Sequence, residues 1–438
     1  MSLQLFLPYA IGIALFLAWH ILRRGKREKA HKAEFKENLA AGLMEPPSLH
    51  PVVNPALCIG SATCVKKCPE EALGMVGGKA VLINASACIG HGACHSACPF
   101  DAITLVFGTE KRGIDIPLLS HLFETNLHGI FIAGELGGMG LIRKAAEQGT
   151  QVVEAIIKRM AGEFPSPPDM VDLLIVGAGP AGMSASLSAK LHKLKFRIIE
   201  QEHSLGGAIF KYPRQKIAMT APVKLAMVGL VKMHEISKED LLEFWEGART
   251  KHDITIDYNH RMERIEPIEG GFFVHTNQGT PIKARAVLLA IGRQGTPRTL
   301  DVPGENTPKV AYRLIDPHQY EGQKVLVVGG GDSALEAAIA LGSIKGITSV
   351  LSYRSAAFSR VKGKNRDTLA RMQAEGTVDV RLQTQVLQIT EKTVVLKNED
   401  GSTSEIENDQ VIVCAGGVLP TPLLKDVGIK FETKFGTV

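Results

Sequence analysis

The chain begins with a long run of apolar residues that is followed directly by a basic segment. Leu3 to Leu22 contain no Asp, Glu, Lys or Arg, and about 20 helical residues at ~1.5 Å rise span the roughly 30 Å hydrocarbon layer of a bilayer. Five basic residues follow, namely Arg23, Arg24, Lys26, Arg27 and Lys29. Such a flank stays cytoplasmic, so the pattern predicts a single-pass anchor in the inner (cytoplasmic) membrane with the bulk of the protein in the cytoplasm. A buried soluble helix and a removable signal peptide are the alternatives.

The remaining pattern predicts a connector, a small domain and a long α/β region. A polar, helix-prone stretch follows the apolar segment and ends at Pro46-Pro47. A cysteine-rich region runs to about Phe107, and a helical segment after it closes at the proline-rich FPSPP. From Asp169 onward, apolar strands alternate with glycine turns and helices, which is typical of doubly wound α/β units.

Composition narrows the function classes. The chain has 438 residues, 45% of them hydrophobic, which is enough for two or three packed domains. The net charge of +5 is small, and the basic excess is concentrated near the N-terminus, so we predict no nucleic-acid binding. Six of the seven cysteines lie between Cys58 and Cys98, and Cys414 stands alone. This distribution argues against a disulfide scaffold and favours a reducing compartment.

The six clustered cysteines form an internal repeat. CIGSATCVKKCP starts at Cys58 and CIGHGACHSACP starts at Cys88, so each cysteine recurs after 30 residues in the spacing C-x5-C-x3-C-P. The candidate metal-binding thiols are Cys58, Cys64, Cys68, Cys88, Cys94 and Cys98. Iron needs soft thiolates that converge from several directions, and tight loops of small residues provide that convergence. A zinc site or a relic without metal is the alternative.

This repeat resembles the bacterial two-cluster ferredoxins, whose run is C-x2-C-x2-C-x3-C-P. Their second cysteine is replaced here by Ser61 in the first copy and His91 in the second. The family's crossed pairing implies one site formed by Cys58, Cys64 and Cys98 and another formed by Cys88, Cys94 and Cys68. Ferredoxins that lack this cysteine tend to hold 3Fe-4S clusters, so we expect two of these. A 4Fe-4S centre with His91 as fourth ligand is the alternative at the second site.

A first dinucleotide-binding turn follows the apolar strand DLLIV. Its glycines are Gly177, Gly179 and Gly182, with Pro180 and Ala181 between them. Such glycines allow a tight turn and close approach of a pyrophosphate, which the helix N-terminus attracts. The next strand ends at Glu200-Gln201, where a carboxylate binds a ribose hydroxyl. Gly206-Gly207 then fits a backbone that skirts a cofactor.

A second turn follows the strand KVLVV. It contains Gly329, Gly331, Asp332, Ser333 and Ala334. Ser352 stands where the ribose-binding acid is expected, and Arg354 and Arg360 lie just beyond it. A missing acid with nearby arginines favours a 2'-phosphate, and therefore NADP(H) over NAD(H). Solvated surface arginines are the alternative.

The two turns, with LLAIGRQGTPRTLDVPGE between them, resemble the thioredoxin-reductase-like pyridine nucleotide-disulfide oxidoreductases. The resemblance implies FAD at the first turn, NAD(P)H at the second and a crossing between domains at Gly292. FKYP and SYRSAAFSR are most similar to the bacillithiol-disulfide and ferredoxin-NADP reductase members. This family ends on a strand, an acid that binds the ribityl chain and a helix facing the flavin.

That closing element lies ahead of the first turn in this chain. His128 to Ile156 match it, with Gly134 and Glu135 at the acid's position and Leu141 and Ile142 at the start of the helix. We therefore predict a circular permutation of the FAD domain. An ordinary linker helix is the alternative.

The predicted fold class is α/β, with two Rossmann-like dinucleotide-binding domains, a small α+β ferredoxin-like domain and one N-terminal transmembrane helix. The predicted ranges are 1–24 for the anchor, 25–47 for the connector, 48–107 for the ferredoxin-like domain, 108–162 for the permuted closing segment, 169–295 for the FAD domain, 296–415 for the NAD(P)H domain and 416–438 for the return to the FAD domain.

We expect an NAD(P)H-dependent flavin and iron-sulfur oxidoreductase that passes electrons to a redox partner protein or quinone, with no catalytic acid or base. A homodimer is compatible with this predicted function. The alternatives are a reductase of low-molecular-weight disulfides of the bacillithiol type, and a membrane-tethered redox sensor or assembly subunit without turnover.

Overall fold

A computed structural model of the chain describes residues 7–40, 43–46, 49–110, 112–138, 140–162, 166–293, 295–358 and 361–436. The chain forms two compact units. The first unit contains Met1–Ile114, Ala357–Asp367 and Lys434–Val438, and the second contains Asp115–Ala356 and Thr368–Thr433.

The first unit is built from one long helix and two pairs of short strands. It contains α1 (Leu7–Ala40), β1 (His50–Val53), α2 (Thr63–Lys67), β2 (Leu73–Val76), β3 (Lys79–Leu82), α3 (Ala93–Ser96) and β4 (Ile103–Val106). Strand β1 pairs antiparallel with β4, and β2 pairs antiparallel with β3 in a hairpin. The 30-residue repeat is visible in the backbone, since φ is positive at Gly60 and Gly90 and again at Glu71 and Asp101.

Helix α1 runs without a break through the predicted anchor and most of the predicted connector. Its 34 residues include two interior glycines, Gly12 and Gly25, and the Lys, Glu and Ala residues of the second half favour the helix. Within the described part of the chain, we find no helix whose length and apolar character suffice to cross a bilayer. The transmembrane helix predicted over 1–24 therefore finds no support there, and residues 1–6 of that range lie outside the described residues.

The second unit begins with the elements of a nucleotide-binding domain. These are β5 (Ile114–Pro117), β6 (Ile130–Ile132), α4 (Ile142–Arg159), β7 (Val171–Val176), α5 (Pro180–Leu191), β8 (Phe196–Ile199), β9 (Ile217–Met219), β10 (Val223–Leu225), β11 (Gly229–Val231), β12 (Glu235–Ser237), α6 (Lys238–Lys251), β13 (Ile256–Asp257), β14 (Met262–Ile268), β15 (Gly271–Thr276) and β16 (Ile282–Leu289). The main sheet has the order β13-β8-β7-β16-β15-β14. The register of β7 and β8, Leu173 opposite Phe196, is parallel, as α/β crossovers require.

The segment ahead of the first glycine turn belongs to this sheet. Strand β6 pairs in parallel with β16, with Ile130 opposite Val287. Helix α4 packs so closely on α5 that a Cβ at Gly149 would lie 2.1 Å from the Ala181 carbonyl oxygen. The segment therefore completes the nucleotide-binding layer and is more than a linker.

The second nucleotide-binding domain follows in the same unit, except that Ala357–Asp367 belong to the first unit. Its elements are β17 (Thr296–Pro297), β18 (Val310–Ala311), β19 (Lys324–Val328), α7 (Asp332–Gly342), β20 (Thr348–Tyr353), α8 (Gly363–Ala374), β21 (Val378–Leu382), β22 (Gln385–Ile389), β23 (Thr393–Lys397), β24 (Thr403–Glu407), β25 (Gln410–Val413), β26 (Gly417–Val418), α9 (Thr421–Asp426) and β27 (Phe431–Lys434). A parallel sheet of order β18-β25-β19-β20-β21 carries the second glycine turn, and β22 to β24 form an antiparallel sheet.

Two crossing segments connect the nucleotide-binding domains. Strand β17 leads out of the first domain and pairs antiparallel with β26, which leads back. The chain then returns through α9 and β27, and β27 pairs with β5. Asp115 on β5 accepts a hydrogen bond from the Thr433 hydroxyl at 2.7 Å. The first domain is therefore assembled from pieces on both sides of the second.

Candidate functional site

The first set of cysteines comes from both copies of the repeat. Cys58 and Cys64 of the first copy and Cys98 of the second line one cavity with about 330 Å³ of space, part of it open to solvent. Burial raises the pKa of the Cys64 thiol, and the charges of Cys58 and Cys98 raise it further. The Ala102 amide donates to the Cys98 sulfur at 3.3 Å. The fold therefore brings together the three thiols that the crossed pairing implies.

The second set mirrors the first. Cys88 and Cys94 share a cavity of about 370 Å³, also partly open, with Cys68 of the first copy. Burial raises the pKa of Cys94 to about 11, and the charges of Cys88 and Cys68 contribute. The Cys94 thiol is therefore protonated at neutral pH in the metal-free chain, and its binding to iron would release a proton.

The donor set of each cavity fits an iron-sulfur cluster. All six thiols are free, and four of them, Cys58, Cys64, Cys88 and Cys94, are buried. Among the described residues, no three His, Cys, Asp or Glu side chains converge closely enough to hold a single metal ion. The thiols instead surround a cavity, as an inorganic core with several irons requires.

Ser61 and His91, the two residues that replace the missing cysteines, differ in what their side chains can donate to a metal. Ser61 and His91 are both exposed and both line their cavities. The Ser61 hydroxyl accepts a hydrogen bond from the Thr63 hydroxyl at 3.2 Å, so it is engaged in its own loop. His91 stands on the loop of the second cavity, where an imidazole nitrogen can serve as a ligand.

In the first glycine turn, two glycines leave no room for a side chain, and one, the open position, does leave room. A Cβ at Gly182 would lie 1.8 Å from the Gly177 carbonyl oxygen, and one at Gly177 would lie 2.6 Å from that of Ala290. At Gly179 a Cβ would meet nothing nearer than the Gly207 Cα at 3.9 Å. Pro180 begins α5 directly after this open position. The turn thus leaves room for a pyrophosphate at the helix N-terminus.

Glu200 is buried beside the turn. Its carboxylate accepts backbone N–H groups of Ala178 at 2.7 Å and Glu202 at 3.0 Å. Burial raises the pKa of Glu200, and these two hydrogen bonds oppose the rise. Each oxygen keeps a further lone pair for a ribose hydroxyl. Gln201 is exposed.

The closing segment brings its own residues to this turn. A Cβ at Gly134 would lie 3.2 Å from the Ala181 side chain, and the Gly134 amide donates to Gln148 at 2.8 Å. Leu141 and Ile142, both half-buried, begin α4. Burial raises the pKa of Glu135, while the Arg293 charge and backbone N–H oppose the rise. Glu135 therefore faces the crossing next to Gly292, whose φ is +65°.

The second turn has the same construction. A Cβ at Gly329 would lie 2.3 Å from the Cys414 carbonyl oxygen, whereas Gly331 has nothing within 4 Å. Asp332 and Ser333 open α7, and Ala334 is buried against Gly329. In this turn too, one glycine (Gly329) leaves no room for a side chain, and another (Gly331) leaves an open position.

The end of the following strand lacks a carboxylate. The Ser352 hydroxyl is buried and within 2.8 Å of the Thr384 hydroxyl. Arg354 is exposed two residues later, while Arg360 lies outside the described residues. The ring of Tyr353 covers Gly330, where a Cβ would come within 2.1 Å of it.

A polar cluster between the two nucleotide-binding domains was missed by sequence reasoning. Lys216 pairs with Glu336 of α7 at 2.8 Å and lies 5.3 Å from the centre of the Tyr212 ring. Burial raises the pKa of Tyr212, with contributions from Glu135 and Glu336. The motif FKYP, which contains Tyr212, was the available signal. The ion pair of Lys216 and Glu336 therefore joins the first nucleotide-binding domain to the first helix of the second.

Comparison with known proteins identifies both parts of the chain. The family model of pyridine nucleotide-disulphide oxidoreductases matches residues 174–436, and the 4Fe-4S dicluster domain model matches residues 50–99. A ferredoxin-NADP reductase of Streptococcus pyogenes serotype M28 (strain MGAS6180) is 26% identical over 272 residues, which are 61% of this chain and 80% of that protein. A second one, from serotype M5 (strain Manfredo), is 27% identical over 280 residues, with the same shares.

Solved structures agree on the fold of the second unit. Bacillithiol disulfide reductase from Staphylococcus aureus is 25% identical with a TM-score of 0.52, over 60% of this chain and 81% of that one. The enzyme from Bacillus cereus is 23% identical with the same TM-score, over 60% and 82%. The predicted resemblance to flavoprotein reductases and dicluster ferredoxins is confirmed. The chain belongs to the pyridine nucleotide-disulphide oxidoreductase family, as an NAD(P)H-dependent FAD oxidoreductase that carries an iron-sulfur domain.

Proposed function

We propose that this protein is a membrane-attached, NADPH-linked reductase that moves electrons between the nicotinamide nucleotide, FAD, two iron-sulfur clusters and a redox partner protein or quinone. The observation that carries the proposal is the presence, in one chain, of two open glycine turns and two thiol-lined cavities. Bound FAD supplies the conversion between a two-electron hydride and one-electron carriers. The S. pyogenes relatives, named as ferredoxin-NADP reductases, support the pairing of these partners.

We propose 3Fe-4S clusters at both sites. Each cavity offers three thiols, and a three-iron core has an open corner that needs no fourth ligand. The engaged Ser61 hydroxyl supports this assignment at the first site. At the second site, a 4Fe-4S centre ligated by His91 is the competing assignment, and EPR of the oxidised protein distinguishes the two.

Membrane attachment is proposed from the N-terminal helix. The described part of α1 exposes apolar side chains on every side, at residues Tyr9, Ile11, Ile13, Leu15, Phe16, Leu17, Trp19, Ile21 and Leu22. A helix that is apolar all round is stable only where protein or lipid covers its side chains and keeps them from water. The charge-free sequence from Leu3 to Leu22 and the basic flank after it favour a bilayer on the inner membrane over a protein cover.

The proposed preference for NADPH gives a first prediction. We expect Arg354→Glu to raise the KM for NADPH about tenfold or more while leaving the KM for NADH within about twofold, because a charge-assisted hydrogen bond to a phosphate contributes ~1.5–3 kcal/mol. Steady-state kinetics with both nucleotides measure this. Arg371→Gln, at another exposed arginine of the domain, is the control. An unchanged KM for NADPH would assign Arg354 to the solvated surface, and an equal rise in both KM values would place its contact on a part that the two nucleotides share.

A second prediction tests the proposed function itself. Anaerobic addition of NADPH to the full chain should bleach the flavin absorbance and then reduce the clusters. Visible absorbance follows the flavin, and low-temperature EPR with iron and sulfide analysis follows the clusters. Electrons from NADPH can reach the clusters only through the flavin, since hydride donors do not reduce clusters directly. A flavin that stays oxidised would favour the sensor or assembly subunit. A flavin that bleaches beside clusters that stay oxidised would remove them from the electron path.

The competing function is reduction of a low-molecular-weight disulfide, which the likeness to bacillithiol disulfide reductase favours. A relay through Cys414, the one cysteine outside the repeat, is disfavoured because burial raises its pKa to about 12. The competing function is therefore a direct reduction of the disulfide without a cysteine. Disulfide-dependent NADPH oxidation by a variant with all six clustered cysteines replaced by alanine would decide for this function.

A further inference from the structure

Helix α1 is fixed on the cysteine domain in a defined direction. Three hydrogen bonds, in order along the helix, join Arg24 to the Gly60 carbonyl at 3.4 Å, the Gly78 amide to Glu28 at 2.8 Å, and Asn38 to the Ile83 carbonyl at 2.9 Å. At ~1.5 Å rise per residue, the first and last of these lie about 21 Å apart along the helix. The loop of the first cysteine set is therefore level with the basic flank, about half a helical turn (~3 Å of rise) from the apolar segment that ends at Leu22.

Large apolar side chains are exposed around this first set and not around the second. Leu57, Ile59 and Phe100 are 50%, 62% and 49% exposed, and the latter two line the first cavity. In the other copy of the repeat, the position of Leu57 is taken by Ala87 and that of Phe100 by Glu70. Ile59 has an apolar counterpart in Ile89, which is half-buried. The second copy therefore forms its fold without an apolar side chain at the positions of Leu57 and Phe100, and the exposure of these two side chains requires a separate reason.

Several cations lie near the apolar patch of Leu57, Ile59 and Phe100, and one exposed carboxylate, Asp101, follows Phe100. Lys66 and Lys67 are exposed at the end of α2, in the same loop. Arg23, Arg24 and Arg27 of α1 lie at the same level, because Arg24 contacts Gly60. An apolar patch with an excess of cations nearby matches a surface with anionic headgroups above an apolar layer. An acidic protein would satisfy the cations but would not explain the adjoining apolar helix.

We propose that the first cysteine loop rests on the bilayer, with the apolar patch in the interfacial layer, and that the cluster of Cys58, Cys64 and Cys98 exchanges electrons with a quinone dissolved in the membrane. The proposal rests on the proposed membrane attachment and names the acceptor. The overall reaction is NADPH + H⁺ + quinone → NADP⁺ + quinol. NADPH supplies two electrons and one proton, and water supplies the second proton.

Hydroxyl-radical footprinting of the full chain on vesicles tests the membrane contact. The vesicles contain phosphatidylethanolamine and phosphatidylglycerol, and co-flotation establishes binding. We expect Leu57 and Ile59 to be oxidised at least about fivefold more slowly than Leu191 and Leu230, because buried side chains escape the radicals. These reference side chains are 53% and 62% exposed in the second unit. Equal oxidation rates on vesicle-bound protein overturn the inference alone, whereas failure to float overturns the membrane attachment itself.

The acceptor is tested with a matched pair of variants. Leu57→Glu should lower NADPH-dependent reduction of a long-chain quinone in the vesicles about tenfold or more and leave ferricyanide reduction within about twofold, since a carboxylate is excluded from the interfacial layer. Ala87→Glu, at the equivalent position of the second copy, should change neither rate. Iron and sulfide content confirms that both variants keep their clusters. Equal quinone rates in the two variants would overturn the assignment of the first cluster.

Discussion

Replacing Cys68 by alanine should remove the cluster whose other ligands lie in the opposite copy of the repeat. Cys68 shares its cavity with Cys88 and Cys94, although Cys64 is nearer in sequence. A site left with two thiols cannot hold the core, so we expect about half of the wild-type iron and sulfide. The EPR spectrum of Cys68→Ala should match those of Cys88→Ala and Cys94→Ala and lack the same signal.

The reciprocal variant is the control. Cys98→Ala should lose the other signal, together with Cys58→Ala and Cys64→Ala, because these three thiols line the first cavity. Loss of the same signal in Cys68→Ala and Cys64→Ala would show that each copy holds its own cluster, and the crossed arrangement would be wrong. Loss of all iron in every variant would instead show that the two sites form only together.

The cysteine sets and the glycine turns were predictable because local spacing determines them. A repeat of 30 residues places equal loops around equal cavities, and a glycine is required wherever a Cβ would strike a carbonyl, as at Gly182 and Gly329. The position of the closing strand β6 was predictable from its resemblance to the end of the family's chain. In each case a short stretch of sequence contains the whole signal.

The unpredicted features depend on contacts between distant residues. The packing of α1 rests on polar bonds such as the one from the Met75 amide to His31, 44 residues apart. The cluster around Tyr212 needs Lys216 and Glu336, 120 residues apart and on different domains. No periodicity marks such residues. The helix-prone character of the predicted connector agrees with α1, which runs on to Ala40.

Replacing Gly179 by valine should produce a folded protein without FAD. Gly179 has φ of −76°, which any residue adopts, and a Cβ there would meet no protein atom closer than 3.9 Å. The side chain would instead fill the space that a pyrophosphate needs at the start of α5. We expect less than about a tenth of the wild-type FAD by absorbance after denaturation. The iron content should be unchanged, since no residue of this turn lines either cysteine cavity.

The matched variant is Gly331→Val, at the open position of the second turn. It should retain FAD and lose NADPH binding, so that the two variants fail at different steps. In Gly179→Val, NADPH should no longer reduce the clusters while dithionite still does, because only the flavin accepts a hydride. Full FAD content in Gly179→Val would place the cofactor elsewhere. Cluster reduction by NADPH without FAD would remove the flavin from the electron path altogether.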